Sequence, residues 1–407
     1  MTGLPIASNA HEAEADHPEP LIPARRAGRV EQLEQQLQRL RERIKIAVIY
    51  GGDKSVEGAV IHRTGNPRSW KSYRSVAEDI AAALVRLDFR QTILVPDDMR
   101  LGETLQQERV DLAWLNTGGM QGYNPVAHAP AMLEMLGVPY VGHNPLIAGM
   151  LDNKHVFKHE LGYIGVPTAP FITWHPARGP FRPNVNCRFL ETFKDHWGPY
   201  IVKPVSGRAS LHVHFAEDET ALPDVVNQVY AATENHVLIE AYLPGREFCI
   251  AVGGPVVARQ RKITRLSEPF SFAAAERRLA SDEKIFTSMD VKPITNERIK
   301  HLDPQADEAI LRQLHEIARK VWVELSLESL IRLDLREDAN GVLHVLEANP
   351  KPDLKMPTAE GTSLVCAVLP SLGMDYDDLI LTLLADRLDV LFSQRRGAVS
   401  HLTAMLN

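Results

Sequence analysis

Four polar residues near the carboxyl end of the chain have the types and spacing of a metal site. Two alternating runs, LIRLDLRED and VLHVLEANP, flank Asn340-Gly341, a dipeptide typical of two-residue hairpin loops. In that register Asp334 faces Glu347 and Arg332 faces Asn349, and all four side chains share one face of the hairpin. Directly opposed carboxylates repel each other unless a cation lies between them. We therefore predict that Asp334, Glu347 and Asn349 bind Mg²⁺ or Mn²⁺.

The prediction depends on the length of the hairpin loop. A three-residue loop would turn Asp334 and Glu347 to opposite faces and remove the argument for a metal. The alternative is a solvated outer face with an exposed ion pair. We favour the metal because Leu330, Leu343 and Val345, which this register puts on the same face, are apolar and favour a half-buried surface.

A magnesium ion held by two carboxylates usually shares its other ligand positions with water and phosphate, which directs attention to two lysines. Lys203 lies in the strand-like run YIVKP, and Lys154 begins a helix after LDN. The turn VSGRAS follows Lys203, and its backbone N–H groups are suited to a phosphate. Glu240 and Glu247 flank another turn and are suited to an amine and a sugar hydroxyl. For each lysine, the alternative is an ordinary surface residue.

The elements that must position these residues belong to two predicted kinds of structure. Residues 44–150 alternate strands with helices, which predicts a doubly wound parallel sheet whose functional loops follow the strands. Residues after Lys154 predict an α+β body with antiparallel or mixed sheets. The predicted strands are Ile44–Tyr50, Gln91–Pro96, Asp111–Asn116, Val138–Val141, Tyr200–Pro204, Val237–Leu243 and Phe248–Gly253. The predicted helices include one opened by a capping box at Ser75–Glu78, Glu103–Glu108, Ala129–Leu136, one opened by Asp303-Pro304, and Tyr376–Leu391.

The N-terminal end adds a tail and a helix to this arrangement. Apolar residues between Val30 and Ile44 recur at spacings of three and four, which indicates an amphipathic helix over 29–43. We expect this helix to pack on its own domain; a dimer-forming coiled coil is the alternative. The predicted division is a disordered tail (1–28), the helix (29–43), an α/β domain (44–150), a central subdomain (151–245), a subdomain carrying the metal site (246–392) and a tail (393–407).

Composition limits the class of protein. The 407 residues are 44% hydrophobic and 24% charged with a net charge of −7, which is typical of a soluble multidomain protein and not of a nucleic-acid binder. Three distant cysteines predict neither disulfides nor a zinc site. No apolar run is long enough for a membrane span. Gly51-Gly52 lacks the other features of a dinucleotide-binding fingerprint. We expect a cytoplasmic protein that binds neither nucleic acid nor membrane.

The order of these parts resembles the ATP-grasp superfamily, and within it the D-alanyl-D-alanine ligase group, over roughly residues 44–390. The runs NTGGMQG (116–122), LEMLGVPYVG (133–142) and LDNK (151–154) are similar to the segments that connect the first domain of the ligases to their ATP-binding core. The resemblance implies ATP and Mg²⁺ as cofactors, small-molecule substrates and a homodimer. It also implies site residues: Lys154 and Lys203 for phosphates; Ser206, Gly207 and Ser210 in the phosphate-covering loop; Glu240, Ala241 and Leu243 for adenine; Glu247 for ribose; Asp334, Glu347 and Asn349 for magnesium; Arg332 and Glu57 in catalysis and substrate binding.

Three stretches depart from the pattern of the ligases. Ala209 replaces a serine of the phosphate-covering loop. The run FSFAAAERR (270–278) has no lysine where the ligases have one. Lys351 and Lys355 follow Asn349 in place of the ligases' acceptor-binding stretch, and they are suited to an acidic substrate or are simply exposed. The basic run 62–71 is likewise either an anionic-substrate lid or a solvated loop.

We therefore predict an ATP- and Mg²⁺-dependent ligase that joins a carboxylate, expected to be an amino acid, to an amine through an acyl phosphate. The absence of a recognisable nucleophilic triad agrees with this chemistry. Two alternatives stay open: an ATP-grasp carboxylase or kinase, and a nucleotide-binding regulatory protein without turnover.

Overall fold

The computed structural model describes residues 23–61, 70–207, 210–279, 283–285, 298–359 and 361–406. The predicted tail before residue 23 and most of the basic run 62–71 lie outside this part of the chain. Within it, no helix combines the length and the apolar character that a membrane span requires.

The first helix packs on its own chain. Helix α1 (Pro23–Leu40) begins six residues before the predicted start. Leu33, Leu37 and Leu40 are almost completely buried in the largest hydrophobic core. Arg29 on the same helix binds Asp389 near the C-terminus at 2.6 Å. Because Leu33, Leu37 and Leu40 pack inside the chain, the apolar face of α1 is not available to form a coiled coil.

A parallel sheet follows α1, as predicted. Its strand order is β2-β1-β3-β4, and the paired strands are parallel. The strands are β1 (Lys45–Tyr50), β2 (Gln91–Pro96), β3 (Leu112–Asn116) and β4 (Tyr140–Val141). The helices between them are α2 (Arg74–Arg86), α3 (Leu101–Gln107) and α4 (His128–Leu136).

The predicted capping box at the start of α2 is wrong. The helix already includes Arg74, and its N-cap is Tyr73, which has a left-handed backbone conformation (φ 54°) and no side-chain capping bond. Glu78 instead binds Arg74 at 3.0 Å, one turn earlier on the exposed face.

Two larger antiparallel sheets and a separate two-stranded hairpin contain the remaining strands of the described residues. The first has the order β5-β8-β6-β7, and the second has the order β14-β13-β9-β15-β16 with β12 paired to β9. Elements of the first part are α5 (Pro145–Asp152), α6 (Lys154–Tyr163), β5 (Phe171–Trp174), α7 (Cys187–Thr192), β6 (Tyr200–Pro204), β7 (His214–Ala216), α8 (Leu222–Thr233) and β8 (Val237–Ala241).

The remaining elements surround the second antiparallel sheet. They are β9 (Glu247–Gly253), the hairpin β10 (Val256–Arg259) and β11 (Lys262–Arg265), β12 (Phe270–Ser271), β13 (Ala275–Arg277), β14 (Ile299–His301), α9 (Glu308–Glu324), β15 (Ile331–Glu337), β16 (Leu343–Asn349), α10 (Tyr376–Gln394) and α11 (Ser400–Met405). Helix α9 begins after the predicted Asp303-Pro304 because the Asp303 carboxylate accepts the N–H groups of Gln305 and Ala306 in a turn.

Helix α10 joins the last part of the chain to the parallel sheet. Its apolar side chains belong to the same core as α1, β1 and α2. On its first turn, Asp377 binds Arg86 of α2 at 2.6 Å and Arg261 of the β10–β11 hairpin at 3.1 Å. These ion pairs hold the start of α10 against the end of α2 and the β10–β11 hairpin.

Candidate active site

The β15–β16 hairpin has the register that the metal prediction requires. Asp334 pairs with Glu347, and Arg332 pairs with Asn349. The predicted two-residue loop is wrong, however, because Asp338 and Val342 close a three-residue turn with an N–H···O bond of 2.9 Å. Such a loop alone would have separated the two acids. A β-bulge between the turn and the acids shifts the pairing by one residue and restores them to one face.

The bulge also changes which apolar residues share the face of the acids. Leu335 pairs with Val345, so Leu346 is the extra residue. Leu346 consequently lines the cavity together with Glu347. Leu343 and Val345, which were predicted on the face of the acids, instead pack in the core beneath the sheet.

Asp334 is buried between two arginines. Its carboxylate receives hydrogen bonds of 2.8 and 2.9 Å from Arg332, and Arg277 of β13 approaches it to 2.6 Å. Burial alone would raise the pKa of Asp334, but the two guanidinium groups outweigh it and lower the pKa to about 2. Asn349 directs its amide N–H to the same carboxylate at 3.4 Å, which leaves its amide oxygen for another partner.

Glu347, on the facing strand, is paired with Lys154. The ammonium lies 3.1 Å from the Glu347 carboxylate and 3.5 Å from the carbonyl oxygen of Gly207. Lys154 begins α6, where Asn153 caps the helix by accepting the N–H groups of His155 and Val156. Burial and the facing Asp334 would raise the pKa of Glu347, but Lys154 and Lys203 outweigh them and lower it.

Glu240 lies between two buried lysines. Lys203 is 2.5 Å and Lys158 is 3.0 Å from its carboxylate, and Lys158 also donates to Thr168 at 2.5 Å. Burial would raise the pKa of Glu240, yet the two ammonium groups lower it. Burial would lower the pKa of both lysines. For Lys203, at 2.5 Å, the attraction of the carboxylates, chiefly Glu240, outweighs burial and the pKa is raised; for the more distant Lys158, burial prevails and the pKa is lowered. The Glu240 side chain is thus a counter-ion for the two lysines.

Glu247 lies between two arginines of the neighbouring strands. The strand order β13-β9-β15 pairs it with Arg277 on one side and Arg336 on the other, at 3.3 and 3.4 Å. Burial still raises the pKa of Glu247 above its usual value. Arg336 also donates to the hydroxyl of Tyr242 at 2.9 Å.

These groups converge on one cavity between the two antiparallel sheets. Most of the predicted nucleotide and metal residues line it, and Arg277, Arg336 and Tyr242 join them although the sequence analysis missed them. Lys158, also missed, contacts the lining residue Glu240. The lining residues of the cavity are Lys154, Ile201, Lys203, Pro204, Gly207, Ser210, Leu211, Val213, Glu240, Ala241, Tyr242, Leu243, Glu247, Arg277, Ile285, Asp334, Arg336, Leu346 and Glu347.

Four predicted site residues lie outside this lining: Ser206, Arg332, Asn349 and Glu57. Ser206 accepts a hydrogen bond of 2.9 Å from Asn235 at the back of the phosphate loop. Arg332 and Asn349 both donate to the carboxylate of the lining residue Asp334, at 2.8 and 3.4 Å. Glu57 is exposed on the loop after β1, and no hydrogen bond or ion pair joins its side chain to another described residue. Ala209 is outside the described residues.

The donor set fits a magnesium ion that shares its coordination with phosphate. Among the described residues, no group of three or more His, Cys, Asp or Glu side chains is arranged to hold a metal. Two opposed carboxylates and the Asn349 amide oxygen instead suit a hard cation whose other ligands are phosphate oxygens and water. The residues therefore match Mg²⁺ bound together with a nucleotide better than a permanent, protein-enclosed ion.

Comparisons with known proteins agree with this site. A family model described as D-ala D-ala ligase C-terminus matches residues 161–385, and the chain belongs to this family. The uncharacterized protein y4sG of Sinorhizobium fredii is 27% identical over 83% of this chain and 95% of its own length. A D-alanine--D-alanine ligase of a Synechococcus strain is 26% identical over 84% of this chain and 93% of its own length.

Solved structures share the fold. The crystal structure of D-alanine--D-alanine ligase from Bacillus anthracis complexed with ATP has a TM-score of 0.60 and 21% identity, and the match covers 85% of this chain and 98% of that one. These findings confirm the predicted ATP-grasp fold and family, the ATP-dependent ligase class, and ATP with magnesium as cofactors. The alternatives of a carboxylase, a kinase or a regulator without turnover are not favoured.

Proposed function

We propose that this ligase activates a small carboxylate with ATP and transfers it to an amine, with the cavity between the antiparallel sheets as its active centre. The observation that carries the proposal is the facing pair Asp334 and Glu347, next to Lys154, in a cavity lined also by Lys203. Opposed acids that share a cation, with lysines nearby, form the arrangement that phosphoryl transfer requires.

The charge of the site supports a magnesium–nucleotide complex. Its paired side chains comprise six cations and four anions, a formal charge of +2, which complements ATP⁴⁻ carrying one Mg²⁺. The cations are Lys154, Lys158, Lys203, Arg277, Arg332 and Arg336, and the anions are Glu240, Glu247, Asp334 and Glu347.

The proposed reaction has two displacements. A substrate carboxylate oxygen bonds to the γ-phosphorus while the bond to the bridging oxygen breaks, which gives an acyl phosphate and ADP. The amine nitrogen then bonds to the acyl carbon, phosphate leaves with the electron pair of the C–O bond, and the nitrogen loses a proton. Lys154 and Lys203 neutralise phosphate charge, and Arg332 offsets the negative charge on the tetrahedral oxygen. Bound magnesium would be held by Asp334, Glu347 and Asn349 and would neutralise phosphate oxygens.

The remaining assignments extend this proposal. Backbone groups of Ala241 and Leu243 read adenine next to Glu240, Glu247 receives ribose, Gly207 and Ser210 cover phosphates with support from Ser206, and Glu57 receives a substrate ammonium. The domain limits at 44–150, 151–245 and 246–392 stay a prediction, as do a cytoplasmic location, a homodimer and the absence of nucleic-acid and membrane partners.

Product analysis tests the proposal. Amino acids are supplied in pairs with Mg–ATP, phosphate release is followed, and products are identified by mass spectrometry. We expect ADP and phosphate in equal amounts with an amide, and a loss of turnover of at least about 100-fold in Glu347→Gln. Glu324→Gln, an exposed acid on α9, is the matched control and should remain active. Nucleotide binding without hydrolysis for any pair, or full activity of Glu347→Gln, would contradict the proposal.

A further inference from the structure

Two histidines of helix α6 lie side by side outside the lining of the nucleotide cavity. His155 and His159 are separated by about one helical turn, so their rings lie on the same face of α6. Their Nε2 atoms are 3.0 Å apart, and their ring centroids are 4.7 Å apart. Neither residue is part of the cavity lining. We call these two residues the histidine pair.

The distance between the two Nε2 atoms matches that of two nitrogens bound to one metal ion. Zn–N bonds of about 2.0–2.1 Å that meet at about 90–109° place their nitrogens about 2.8–3.4 Å apart. The observed 3.0 Å lies within this range. Two histidines at this spacing on a helix are a recurrent zinc-binding arrangement, and imidazole also suits Cu²⁺ and Ni²⁺. The histidine pair therefore has the geometry of a chelate.

The ring nitrogens of the histidine pair are available to a metal ion. Among the described residues, each Nε2 atom has only the other as a hydrogen-bond partner, and neither imidazole has a further hydrogen bond or an ion pair. When both neutral rings carry their proton on Nδ1, both Nε2 lone pairs are free to bind the same ion. His159 is exposed and His155 is half-buried, so water has access to the remaining ligand positions.

Packing prepares the histidine pair for a metal in both position and protonation state. The ring centroid of Phe171 in β5 lies 6.1 Å from that of His155 and 5.2 Å from that of His159, each edge to face. Burial lowers the pKa of His155, and the neighbouring His159, Arg188 and His236 lower it further. The neutral imidazole is the form that binds a metal, so His155 is ready to bind at neutral pH.

The histidine pair lies on the two turns of α6 that carry lysines of the active site. Lys154 contacts Glu347 at 3.1 Å, and Lys158 contacts Glu240 at 3.0 Å. Each histidine directly follows one of these lysines in the chain. An ion held by both histidines links the two turns and, because it binds the folded helix, stabilises the folded chain.

We propose that His155 and His159 chelate one divalent transition-metal ion of the zinc class, which links the first two turns of α6. This ion is distinct from the magnesium of the proposed reaction, because its protein ligands are nitrogens whereas magnesium prefers oxygens. The site does not depend on the proposed function, and it binds its ion without nucleotide.

The first test measures binding. Zn²⁺ is titrated calorimetrically into the full chain without nucleotide and with excess Mg²⁺ present. We expect one Zn²⁺ per chain at the tightest site, and either His155→Gln or His159→Gln should weaken this whole binding event at least about 10-fold. His301→Gln, at an exposed histidine of β14, is the matched control and should bind as wild type does.

Two kinds of result would overturn the inference. If each single variant removes half of the bound Zn²⁺, the histidines bind separately and do not chelate. If wild type binds no Zn²⁺, or binds it no better than both variants do, the 3.0 Å contact is only a hydrogen bond between the rings.

The second test measures the link across α6. Thermal unfolding of the full chain is followed by circular dichroism with and without Zn²⁺, and the metal is then removed with a chelator. We expect Zn²⁺ to raise the Tm of wild type and His301→Gln by about 2 °C or more, reversibly, and to leave that of His155→Gln and His159→Gln unchanged. The Tm without Zn²⁺ shows that each variant is folded. An equal rise in all four proteins, or no rise in wild type, would contradict the link.

Discussion

The buried Glu240 carboxylate offers a sharp test of how the nucleotide cavity is held together. It is the counter-ion of Lys203 and Lys158, at 2.5 and 3.0 Å, and only 2% of the residue is exposed. Glu240→Gln leaves two buried ammonium groups without a negative partner. Removal of one partner from a buried ion pair costs about 3–5 kcal/mol of unfolding free energy, and we expect a loss in this range.

The assay is urea unfolding followed by circular dichroism at neutral pH. Wild type, Glu240→Gln and the double variant Glu240→Gln/Lys158→Met are compared, and Glu234→Gln, an exposed acid before β8, is the control. The double variant should recover part of the loss because one uncompensated ammonium is removed. The KM for ATP should rise in Glu240→Gln because Lys203 loses the partner that orients it. A change below about 1 kcal/mol, with no recovery in the double variant, would refute the counter-ion role.

Two further predictions concern groups that the sequence analysis did not single out. Arg277→Met should lower kcat for phosphate release by about 10-fold or more, since Asp334 loses its 2.6 Å partner; unchanged kcat would show that Arg332 alone orients Asp334. Burial raises the pKa of Asp386 in α10 from 3.8 to about 7. Since the folded chain holds this proton more tightly, its stabilising contribution is complete below about pH 4 and is lost as the pH rises through 7. Asp386→Asn should flatten that decline by up to about 4 kcal/mol, measured by urea unfolding between pH 4 and 8; an identical pH profile would contradict it.

In the β15–β16 hairpin, the local sequence predicted the facing acids correctly but predicted the wrong turn length. Alternation and the Asn-Gly pair correctly brought Asp334 opposite Glu347. The turn length was wrong, and the residue that compensates, Leu346, carries no local signal of a bulge because it reads as another apolar residue of the strand. A bulge depends on packing against neighbouring strands. The longer turn and the bulge each shift the pairing by one residue in opposite senses, so together they leave the two acids facing each other.

The partners of the acids were beyond local prediction for a different reason. Arg277 and Arg336 meet Glu247 only because β13 and β15 pair with opposite edges of β9, and periodicity does not reveal that order of strands. Lys158 is four residues after Lys154 and therefore lies near it on α6. That spacing was available in the sequence and could have identified it.

The central claim, that the facing acids bind a cation shared with a nucleotide, is tested most directly by electron paramagnetic resonance of Mn²⁺. The metal is titrated into wild type, Glu347→Gln and Glu324→Gln with and without a non-hydrolysable ATP analogue. The account predicts one tightly bound Mn²⁺ per chain in wild type only when the nucleotide is present, and binding at least about 10-fold weaker in Glu347→Gln alone. Equal Mn²⁺ affinity in wild type and Glu347→Gln with nucleotide bound would contradict the claim.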